Sequence, residues 1–411
     1  MAATHATSDS LTERLLISLA QQDGLMKSSL ILNPAENIPF EQDLSVTSGL
    51  LHGLYNSDKI RSRAEQRATD TQFAGRDTLA ADCQAIYAMW ADALGAGDAT
   101  LRLLSGLHAH IVLFMAMATP GQRVLLLPTL AGGHVAGRAI LERLGLEVTE
   151  MAVDETGQRV DMQTTLARCA DHPPDYILVD RSEGLVVEDL SALARLGHAT
   201  TIFDGSQYLT NIVSGDHPNP FEQGFDLLVA SVHKNFPGPQ KALLATRVID
   251  ERWRAILAQI SIFVSNMHVA NTYAAALTLA RRDWLATYSR RMLDVAVMLE
   301  LALADLDVPV VRRRSDLPPT HHLWIGEPTR ERAFETYERL ERCRILTNFR
   351  KLPYSLGHGI RLGTTAAVRL GLNEDDVPEL AELIAEIRDR EPTHELVLRA
   401  RQFNEMIWSR A

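Results

Sequence analysis

Short apolar segments that alternate with helical stretches constrain the fold of this chain more than any other feature. Between residues 44 and 270, the apolar segments end in polar turns and are separated by stretches with helical spacing. Such segments are typical of strands buried in a parallel sheet, with helices covering both faces. The predicted strands are residues 124–128, 176–180, 201–204, 227–232 and 242–246. The sequence therefore predicts an α/β domain with a mostly parallel sheet.

The two ends of the chain carry different patterns. Residues 10–29 have leucines at helical spacing and lead into an extended arm that reaches Pro39. Toward the other end, the predicted elements are a long helical region over 271–303, strands at 321–325 and 359–362, and an amphipathic helix over 375–388. The predicted units are an N-terminal helix and arm (1–43), a large domain (44–275), and a connecting helix with a smaller α+β domain (276–411).

Composition and charge narrow the classes of partner. A formal net charge of −11 argues against a nucleic-acid partner, and the basic cluster at residues 312–314 has the context of a solvated loop. Cys83, Cys169 and Cys343 are isolated, which argues against a disulfide framework and against a metal site. Because the chain has neither a signal-peptide pattern nor an apolar run long enough for a membrane span, we expect a cytoplasmic protein without a membrane partner.

One lysine stands where a predicted strand ends. The sequence has 41 basic residues but only five lysines, and Lys234 follows strand 227–232 almost directly. Ligands of open α/β sheets bind beyond the carboxyl ends of the strands. A lysine amine whose pKa is lowered by burial or by a nearby cation can form a Schiff base with the aldehyde of pyridoxal phosphate. The same position also suits an ordinary solvated loop lysine, so the other segments must decide between the two.

Three further segments offer the groups that this cofactor needs. Asp204 ends the preceding predicted strand, where its carboxylate could pair with the protonated pyridine nitrogen and make the ring an electron sink. Ser105 and Gly106 open a helical stretch whose free backbone N–H groups suit a phosphate. His134 follows two glycines and could stack on a flat ring. Each feature alone has an ordinary structural explanation, but their order along the chain is improbable by chance.

Several of these segments resemble the serine hydroxymethyltransferase superfamily of pyridoxal phosphate enzymes, which has the type I fold. The matching segments are Asn-Pro-Ala-Glu-Asn at 33–37, His233-Lys234 followed by Gly238-Pro239, and Gly-Ile-Arg-Leu-Gly-Thr at 359–364. The resemblance implies a large domain with a mostly parallel sheet of the seven-stranded type and a smaller C-terminal α+β domain. It also implies pyridoxal 5′-phosphate bound covalently to Lys234.

The resemblance further implies roles for individual residues. Glu36 would handle protons at the substrate hydroxyl, and Tyr55 lies where the family has an active-site tyrosine contributed across the dimer interface. Arg361 would bind the α-carboxylate, a role that suits a guanidinium because it can donate two parallel hydrogen bonds. The catalytic candidates are Lys234, Glu36, His134 and Tyr55, and Glu36, Tyr55 and Arg361 would bind substrate. The implied cofactor-binding residues are Ser105, Gly106, Leu107, His134, Ser182, Asp204, Gln207, Ser231, His233, Lys234 and Ser265.

The sequence also departs from the family pattern. Gln207 stands where the family has a histidine, Leu107 replaces the second serine of the phosphate loop, and Ala35 replaces the serine before the catalytic glutamate. Between Asn348 and Gly359 the chain is shorter than the family segment that helps to hold folate. Tetrahydrofolate is therefore a doubtful cosubstrate.

Two stretches are more similar to the L-threonine transaldolases, a branch of the same superfamily. Residues 233–241 end in Pro-Gly-Pro-Gln-Lys, and residues 265–268, Ser-Asn-Met-His, resemble that branch's Ser-Asn-Cys-His. Such enzymes cleave L-threonine to acetaldehyde, keep the glycyl quinonoid and add it to another aldehyde. The resemblance therefore predicts an L-threonine:aldehyde transaldolase that makes a β-hydroxy-α-amino acid for a biosynthetic pathway, with an amino acid and an aldehyde as substrates.

Alternative functions stay open at this point. Within the superfamily, they are a folate-dependent serine or α-methylserine hydroxymethyltransferase and a simple threonine aldolase. An alternative of another class is a degenerate, non-catalytic binding relative, which the departures at Ala35, Leu107 and Gln207 motivate and the retained Lys234 and Asp204 oppose. We also expect a homodimer with shared active sites.

Overall fold

The computed structural model describes residues 8–411, with side chains from Leu11 onward. Its strands are β1 (Leu30–Ile31), β2 (Asp98–Thr100), β3 (Arg123–Leu126), β4 (Glu147–Glu150), β5 (Tyr176–Val179), β6 (Thr200–Asp204), β7 (Leu227–Ser231), β8 (Ala242–Thr246), β9 (His322–Gly326), β10 (Ile345–Leu346), β11 (Asn348–Lys351) and β12 (His358–Gly363). The helices are α1 (Ser8–Lys27), α2 (Glu41–Leu44), α3 (Arg63–Arg67), α4 (Asp77–Leu94), α5 (Gly106–Met117), α6 (Val135–Arg143), α7 (Met162–Asp171), α8 (Ser191–Ala194), α9 (Leu209–Ser214), α10 (Pro220–Gln223), α11 (Glu251–Phe263), α12 (Val269–Leu279), α13 (Arg282–Asp305), α14 (Arg330–Arg342), α15 (Thr365–Arg369), α16 (Val377–Asp389) and α17 (His394–Trp408). Short 3-10 helices lie at Ser45–Ser48, Leu50–Gly53, Thr129–Ala131 and Glu374–Asp376.

A seven-stranded sheet forms the centre of the molecule, in the order β2-β8-β7-β6-β5-β3-β4. Strands β3 to β7 run parallel, whereas β8 is antiparallel to both of its neighbours, so the predicted mostly parallel sheet is confirmed. Along β7, Leu228 and Ala230 join one apolar core, while Leu227 and Val229 join another. Alternate side chains of a strand point to opposite faces, so helices must cover this sheet on both sides.

All five predicted strands of the central sheet are present, with ends displaced by no more than two residues. The sequence pattern did not predict β2 and β4, which form the two edges. In β4, Glu147 and Glu150 are exposed. A short, half-solvated edge strand carries no apolar run, and its pairing with β3 decides its conformation.

A second, antiparallel sheet follows the central one along the chain, in the order β11-β12-β9. Strands β9 and β12 correspond to the predicted strands 321–325 and 359–362, and α16 corresponds to the predicted helix 375–388. The N-terminal arm joins this region, since Leu30 pairs with Ile345 and Ile31 with Leu346. Residues 1–7, which belong to the predicted N-terminal unit, lie outside the described part of the chain, and the predicted unit boundaries stay predictions.

The helical region predicted over 271–303 is two helices, α12 and α13, rather than one. At the junction, the Arg281 guanidinium donates hydrogen bonds of 2.6 and 2.8 Å to the two carboxylate oxygens of Asp43, which is buried. The break lets α12 pack on α4 while α13 packs on α9 and α16. Long-range packing therefore overrides a sequence pattern that is continuous across the junction.

Candidate active site

Lys234 and Asp204 meet at the carboxyl edge of the central sheet. Strands β6 and β7 are parallel neighbours, with Asp204 in register with Val229, so their ends lie side by side. Burial lowers the pKa of the Lys234 amine, the negative charge of Asp204 opposes this, and the positive charge of Arg361 adds to it. A lowered pKa makes the neutral, nucleophilic form of the amine easier to reach.

The Asp204 carboxylate is held by two partners. His110 Nε2 lies 2.9 Å from Oδ2, and the backbone N–H of Ser206 donates a 2.7 Å hydrogen bond to Oδ1. Burial alone would raise the pKa of Asp204, but His110, the Lys234 charge and Ser206 together hold it well below its usual range. The carboxylate is therefore ionised and ready to pair with a protonated ring nitrogen.

Sequence reasoning missed His110. It lies four residues after Gly106 on α5, so both residues occupy one helical face. The four-residue spacing could have identified His110. If the first turn of a helix contacts a cofactor, the residue four positions later on the same face lies near that cofactor too.

A narrow cradle of small residues opens α5. Ser105 caps the helix by accepting a 3.3 Å hydrogen bond from the backbone N–H of His108. A Cβ atom added at Gly106 would come within 2.5 Å of the Ser231 hydroxyl oxygen, so only glycine fits. The Ser206 hydroxyl donates a 3.3 Å hydrogen bond to the Ser231 hydroxyl and accepts a 2.8 Å hydrogen bond from the Ser231 backbone N–H. Hydroxyl groups and the first N–H groups of a helix are together a suitable binding site for a phosphate.

His134 caps α6 with its imidazole ring. Its Nδ1 accepts a 3.2 Å hydrogen bond from the backbone N–H of Ala136, so the neutral ring carries its proton on Nε2. Burial and then the charge of Lys234 lower the pKa of His134, which favours that neutral form. Beside it, burial and the charge of Asp204 raise the pKa of Asp180 far above the usual range, and neither Asp180 carboxyl oxygen has a hydrogen-bond partner.

Arg361 shares a buried carboxylate with a second arginine. Glu183 Oε1 lies 3.5 Å from Arg361 Nη1 and 2.5 Å from Arg350 Nη1. Burial and the charge of Arg350 together lower the pKa of Arg361 to about 10, against the opposing influence of Glu183. Arg361 Nε is buried without a hydrogen-bond partner, so part of the guanidinium is uncommitted. Neither Glu183 nor Arg350 stood out in the sequence, because their significance comes only from contact with Arg361.

The arm that carries Glu36 lies against the loop that carries Lys234. The Asn37 side-chain amide donates to the Lys234 carbonyl at 2.7 Å, and the Thr365 hydroxyl donates to the Glu36 carbonyl at 3.1 Å. These contacts fix the backbone of the arm beside the Lys234 loop, while the Glu36 side chain is exposed.

Four further residues with a predicted cofactor-binding role differ in their burial and contacts. Gln207 is buried, with its Oε1 atom 3.3 Å from His322 Nε2. Ser182 lies beside the turn at Gly132, whose carbonyl accepts its backbone N–H at 2.9 Å. Burial and then Lys234 lower the pKa of His233 to about 4. Leu107 is exposed on the first turn of α5.

Tyr55 and Ser265 lie at the surface of the single chain. Tyr55 is 48% exposed and its ring packs on Phe73, 5.4 Å between centroids. Ser265 is also exposed and lines a surface cavity together with Asn56 and Phe73. One chain therefore brings Lys234, Asp204, His134 and Arg361 together but leaves these two residues at its surface.

The residues present fit pyridoxal phosphate. Lys234 offers a buried amine of lowered pKa, Asp204 an ionised carboxylate, and Gly106 a cradle that a side chain would fill. When bound, this cofactor supplies an electron sink for a carbanion at the substrate's Cα. Across residues 8–411, no group of three or more His, Cys, Asp or Glu is arranged to hold a metal ion, and no helix is long and apolar enough to span a bilayer.

Comparisons with known proteins agree on one family. The serine hydroxymethyltransferase family model matches residues 79–384. The serine hydroxymethyltransferase of Pyrobaculum arsenaticum is 27% identical over 353 residues, which cover 84% of this chain and 82% of the relative. The fluorothreonine transaldolase of Streptantibioticus cattleyicolor is 30% identical over 303 residues, which cover 71% of this chain but 46% of the relative.

A solved structure has the same fold. The L-threonine transaldolase from Pseudomonas fluorescens aligns with a TM-score of 0.89 at 20% identity, covering 98% of this chain and 92% of that protein. The predicted fold class and the predicted family resemblance are both confirmed. Since the family model spans well over half of the sequence, the chain belongs to the serine hydroxymethyltransferase family and is a pyridoxal phosphate-dependent enzyme.

Proposed function

We propose that this enzyme is an L-threonine:aldehyde transaldolase, which moves a glycyl unit from L-threonine to a second aldehyde and makes a β-hydroxy-α-amino acid. The observation that carries the proposal is the juxtaposition of the Lys234 amine, the ionised Asp204 and the uncommitted Arg361 guanidinium. The similarity to a fluorothreonine transaldolase supports the finer assignment. The 233–241 and 265–268 segments support it as well, because both resemble the transaldolase branch.

Arg361 would fix the amino acid by its α-carboxylate. Its buried Nε and the part of the guanidinium not shared with Glu183 can donate to a carboxylate. Two arginines around one glutamate leave one net positive charge, which matches one substrate carboxylate. Binding by both ends, at Lys234 and at Arg361, would hold the bonds of Cα in a defined orientation.

Removal of the β-hydroxyl proton would fall to Glu36, with the His134 Nε2–H as a hydrogen-bond donor to the same oxygen. Glu36 lies on an arm that is tied to the Lys234 loop through Asn37, and its exposed carboxylate is free to accept a proton. The His134 ring keeps Nε2–H available, because Nδ1 is committed to the Ala136 N–H. Breaking the Cα–Cβ bond of a β-hydroxy-amino acid requires removal of the hydroxyl proton, so one group at this position is necessary.

The acceptor aldehyde would enter through a cavity next to Glu183. This cavity of about 490 Å³ is bounded by Gly133, Glu183 and the segment 350–357. That segment is the stretch predicted to be too short for folate. A short segment leaves room for a small aldehyde and removes contacts that a large cosubstrate would need, which favours transaldolation over folate-dependent chemistry.

The enzyme would act as a homodimer with shared active sites. Tyr55 and Ser265 have predicted site roles but are exposed at the surface of their own chain. Nearby apolar side chains are also exposed, Leu50 to 90% and Ile262 to 70%. A second copy that covers this surface would both bury it and supply the two missing residues. Light scattering of the purified enzyme measures this state directly.

The reaction itself is tested with purified, cofactor-loaded enzyme and L-threonine, with and without a panel of aldehydes. We expect acetaldehyde and a new β-hydroxy-α-amino acid that depends on the acceptor. A parallel reaction with L-serine and tetrahydrofolate tests the hydroxymethyltransferase alternative, which the family relatives favour. Acetaldehyde and glycine without transfer would instead identify a threonine aldolase, and turnover only with serine and folate would contradict the proposal.

Two lysine variants control that experiment. Lys234→Ala should abolish the visible absorption of lysine-bound cofactor and all turnover. Lys27→Ala, which removes an exposed lysine on α1, should leave both unchanged. Loss of turnover in both variants would show that general damage to the protein, rather than loss of the reactive amine, explains the result.

A further inference from the structure

Lys241 is a buried ammonium group that has too few partners. Its side chain is 0% exposed, and Nζ donates to the backbone carbonyl of Met267. Among residues 8–411, no carboxylate lies within ion-pair distance of Nζ; the nearby Asp58 is instead paired with Arg102 at 3.6 Å. An ammonium carries three donors, and a buried charge is costly unless it is paired. A bound anion near Lys241 would therefore stabilise its charged form.

Lys241 closes the loop that carries Lys234. The backbone N–H of Val232 donates to the Lys241 carbonyl at 3.0 Å, and β8 starts at the following residue. The Lys234 loop is thus a closed excursion between β7 and β8. Any movement of Lys241 would be transmitted to the loop on which the reactive amine stands.

Lys241 lies between the segment that leads into α5 and the segment 265–268: the backbone N–H of the next residue, Ala242, donates to the Leu103 carbonyl at 3.0 Å, and the Lys241 ammonium donates to the Met267 carbonyl. Burial and then the charge of Lys241 lower the pKa of His108, and the same two causes lower the pKa of His268. His108 belongs to the first turn of α5, where Ser105 and Gly106 form the cradle. The charge of Lys241 is therefore felt at the amino end of α5, where a phosphate would bind.

The same lysine joins two segments that are distant in sequence. Besides the bond from Lys241 to Met267, the Asn271 side-chain amide donates to the Gln240 carbonyl at 3.0 Å. Next to these contacts, His268 has a left-handed backbone with φ of 48°, a conformation that non-glycine residues adopt only when surrounding contacts hold it. The segments 233–241 and 265–268 form one unit, with Lys241 at its centre.

We propose that Lys241 is a positioning residue for the phosphate group of the cofactor: its buried ammonium supplies the counter-charge for the phosphate at the amino end of α5 and anchors segment 265–268 through the Met267 carbonyl. The cradle residues Ser105, Gly106, Leu107 and Ser231 carry no charge of their own. Burial lowers the pKa of Lys241 to about 7 in the cofactor-free chain, and a bound dianion would restore its full charge. The proposal rests on the proposed function only in requiring that the site bind pyridoxal phosphate.

The test compares pyridoxal phosphate with pyridoxal, which lacks the phosphate but keeps the aldehyde. Dissociation constants are measured by absorbance for the wild type, Lys241→Met and Lys241→Arg, with the exposed-site variant Lys27→Met as control. We expect Lys241→Met to weaken pyridoxal phosphate about 10- to 100-fold, the range for a charge-assisted contact, and to leave pyridoxal unchanged. Lys241→Arg should recover most of the loss, because it keeps the charge.

Two outcomes would overturn the proposal. Equal weakening of both ligands would mean that Lys241 only supports the fold, and no weakening of either would mean that the phosphate does not depend on its charge. If Lys241→Met does not fold, the ³¹P resonance of pyridoxal phosphate bound to the wild type decides the question. A dianionic resonance that persists below the solution pKa of the phosphate supports the counter-charge, and a resonance that titrates as in solution overturns it.

Failure of the proposed function would be visible separately. An enzyme that binds pyridoxal phosphate with the expected dependence on Lys241 but transfers no glycyl unit would disprove the reaction and leave this inference standing. An enzyme that binds neither form of the cofactor would overturn both the cofactor assignment and the role of Lys241.

Discussion

Replacement of His110 tests whether the geometry around Asp204 determines its charge. His110 Nε2 lies 2.9 Å from Asp204 Oδ2, and both side chains are buried or nearly so. A hydrogen bond to a charged group contributes about 1.5–3 kcal/mol. His110→Leu should therefore destabilise the folded protein by about that amount at pH 7 and raise the pKa of Asp204.

The sign of the pH dependence follows from the lowered pKa of Asp204. A carboxylate whose pKa is lower in the folded than in the unfolded state stabilises the fold at pH values above the unfolded pKa, and that stability is lost as the pH falls through the folded pKa. Removing His110 raises the pKa of Asp204 in the folded state, so the variant loses the stability contributed by this carboxylate at a higher pH than the wild type does. The stability difference between wild type and variant should be largest at neutral pH and shrink in acid.

Urea unfolding of the cofactor-free proteins at several pH values measures this difference. His110→Gln is the matched variant, because its amide N–H can still donate to Asp204 and should recover part of the loss. Cofactor affinity should follow the same order, since His110 orients the carboxylate that is predicted to pair with the ring nitrogen. Equal unfolding free energies for wild type and His110→Leu at pH 7 would refute the reasoning.

Three further predictions concern the cradle, the substrate carboxylate and the buried histidines. Gly106→Ala should weaken pyridoxal phosphate binding at least tenfold in an absorbance titration, because the added Cβ would collide with the Ser231 hydroxyl. Gly24→Ala, whose added Cβ meets no atom within 4 Å, should leave that affinity unchanged. Arg361→Lys should raise KM for L-threonine about 10- to 100-fold, because lysine cannot donate two parallel hydrogen bonds; an unchanged KM would place the carboxylate elsewhere. Burial lowers the pKa of His217 to about 4 and that of His321 to about 3. As the pH falls below about 6.5, each buried histidine should therefore lower the unfolding free energy by up to about 1.4 kcal/mol per pH unit. A His217→Phe variant whose unfolding free energy, measured in urea, has the same pH slope as the wild type would contradict this.

Local pattern by itself determined the central strands and the two residues at their ends. The apolar segments of β6 and β7 are readable because a buried parallel strand needs apolar side chains on both faces. Parallel strands end at the same edge of the sheet, so Asp204 and Lys234 were expected to meet before their distance was known. The Gly-Gly-His pattern then added His134 and the family motif added Arg361, although no local pattern shows that the two lie close together in space.

Tertiary structure alone decided which buried polar groups contact one another. His110 with Asp204, Glu183 with Arg361, and Lys241 with Met267 are contacts between residues from separate elements. No periodicity encodes such a pair, because each partner has an ordinary local sequence and acquires its role only when the sheet brings the elements together. The edge strands and the break between α12 and α13 belong to the same class, since pairing and packing, rather than propensity, determine them. Sequence thus fixes what each segment can bury, and the folded chain decides which polar groups must then satisfy one another, because an unpaired buried charge costs more than any local preference can repay.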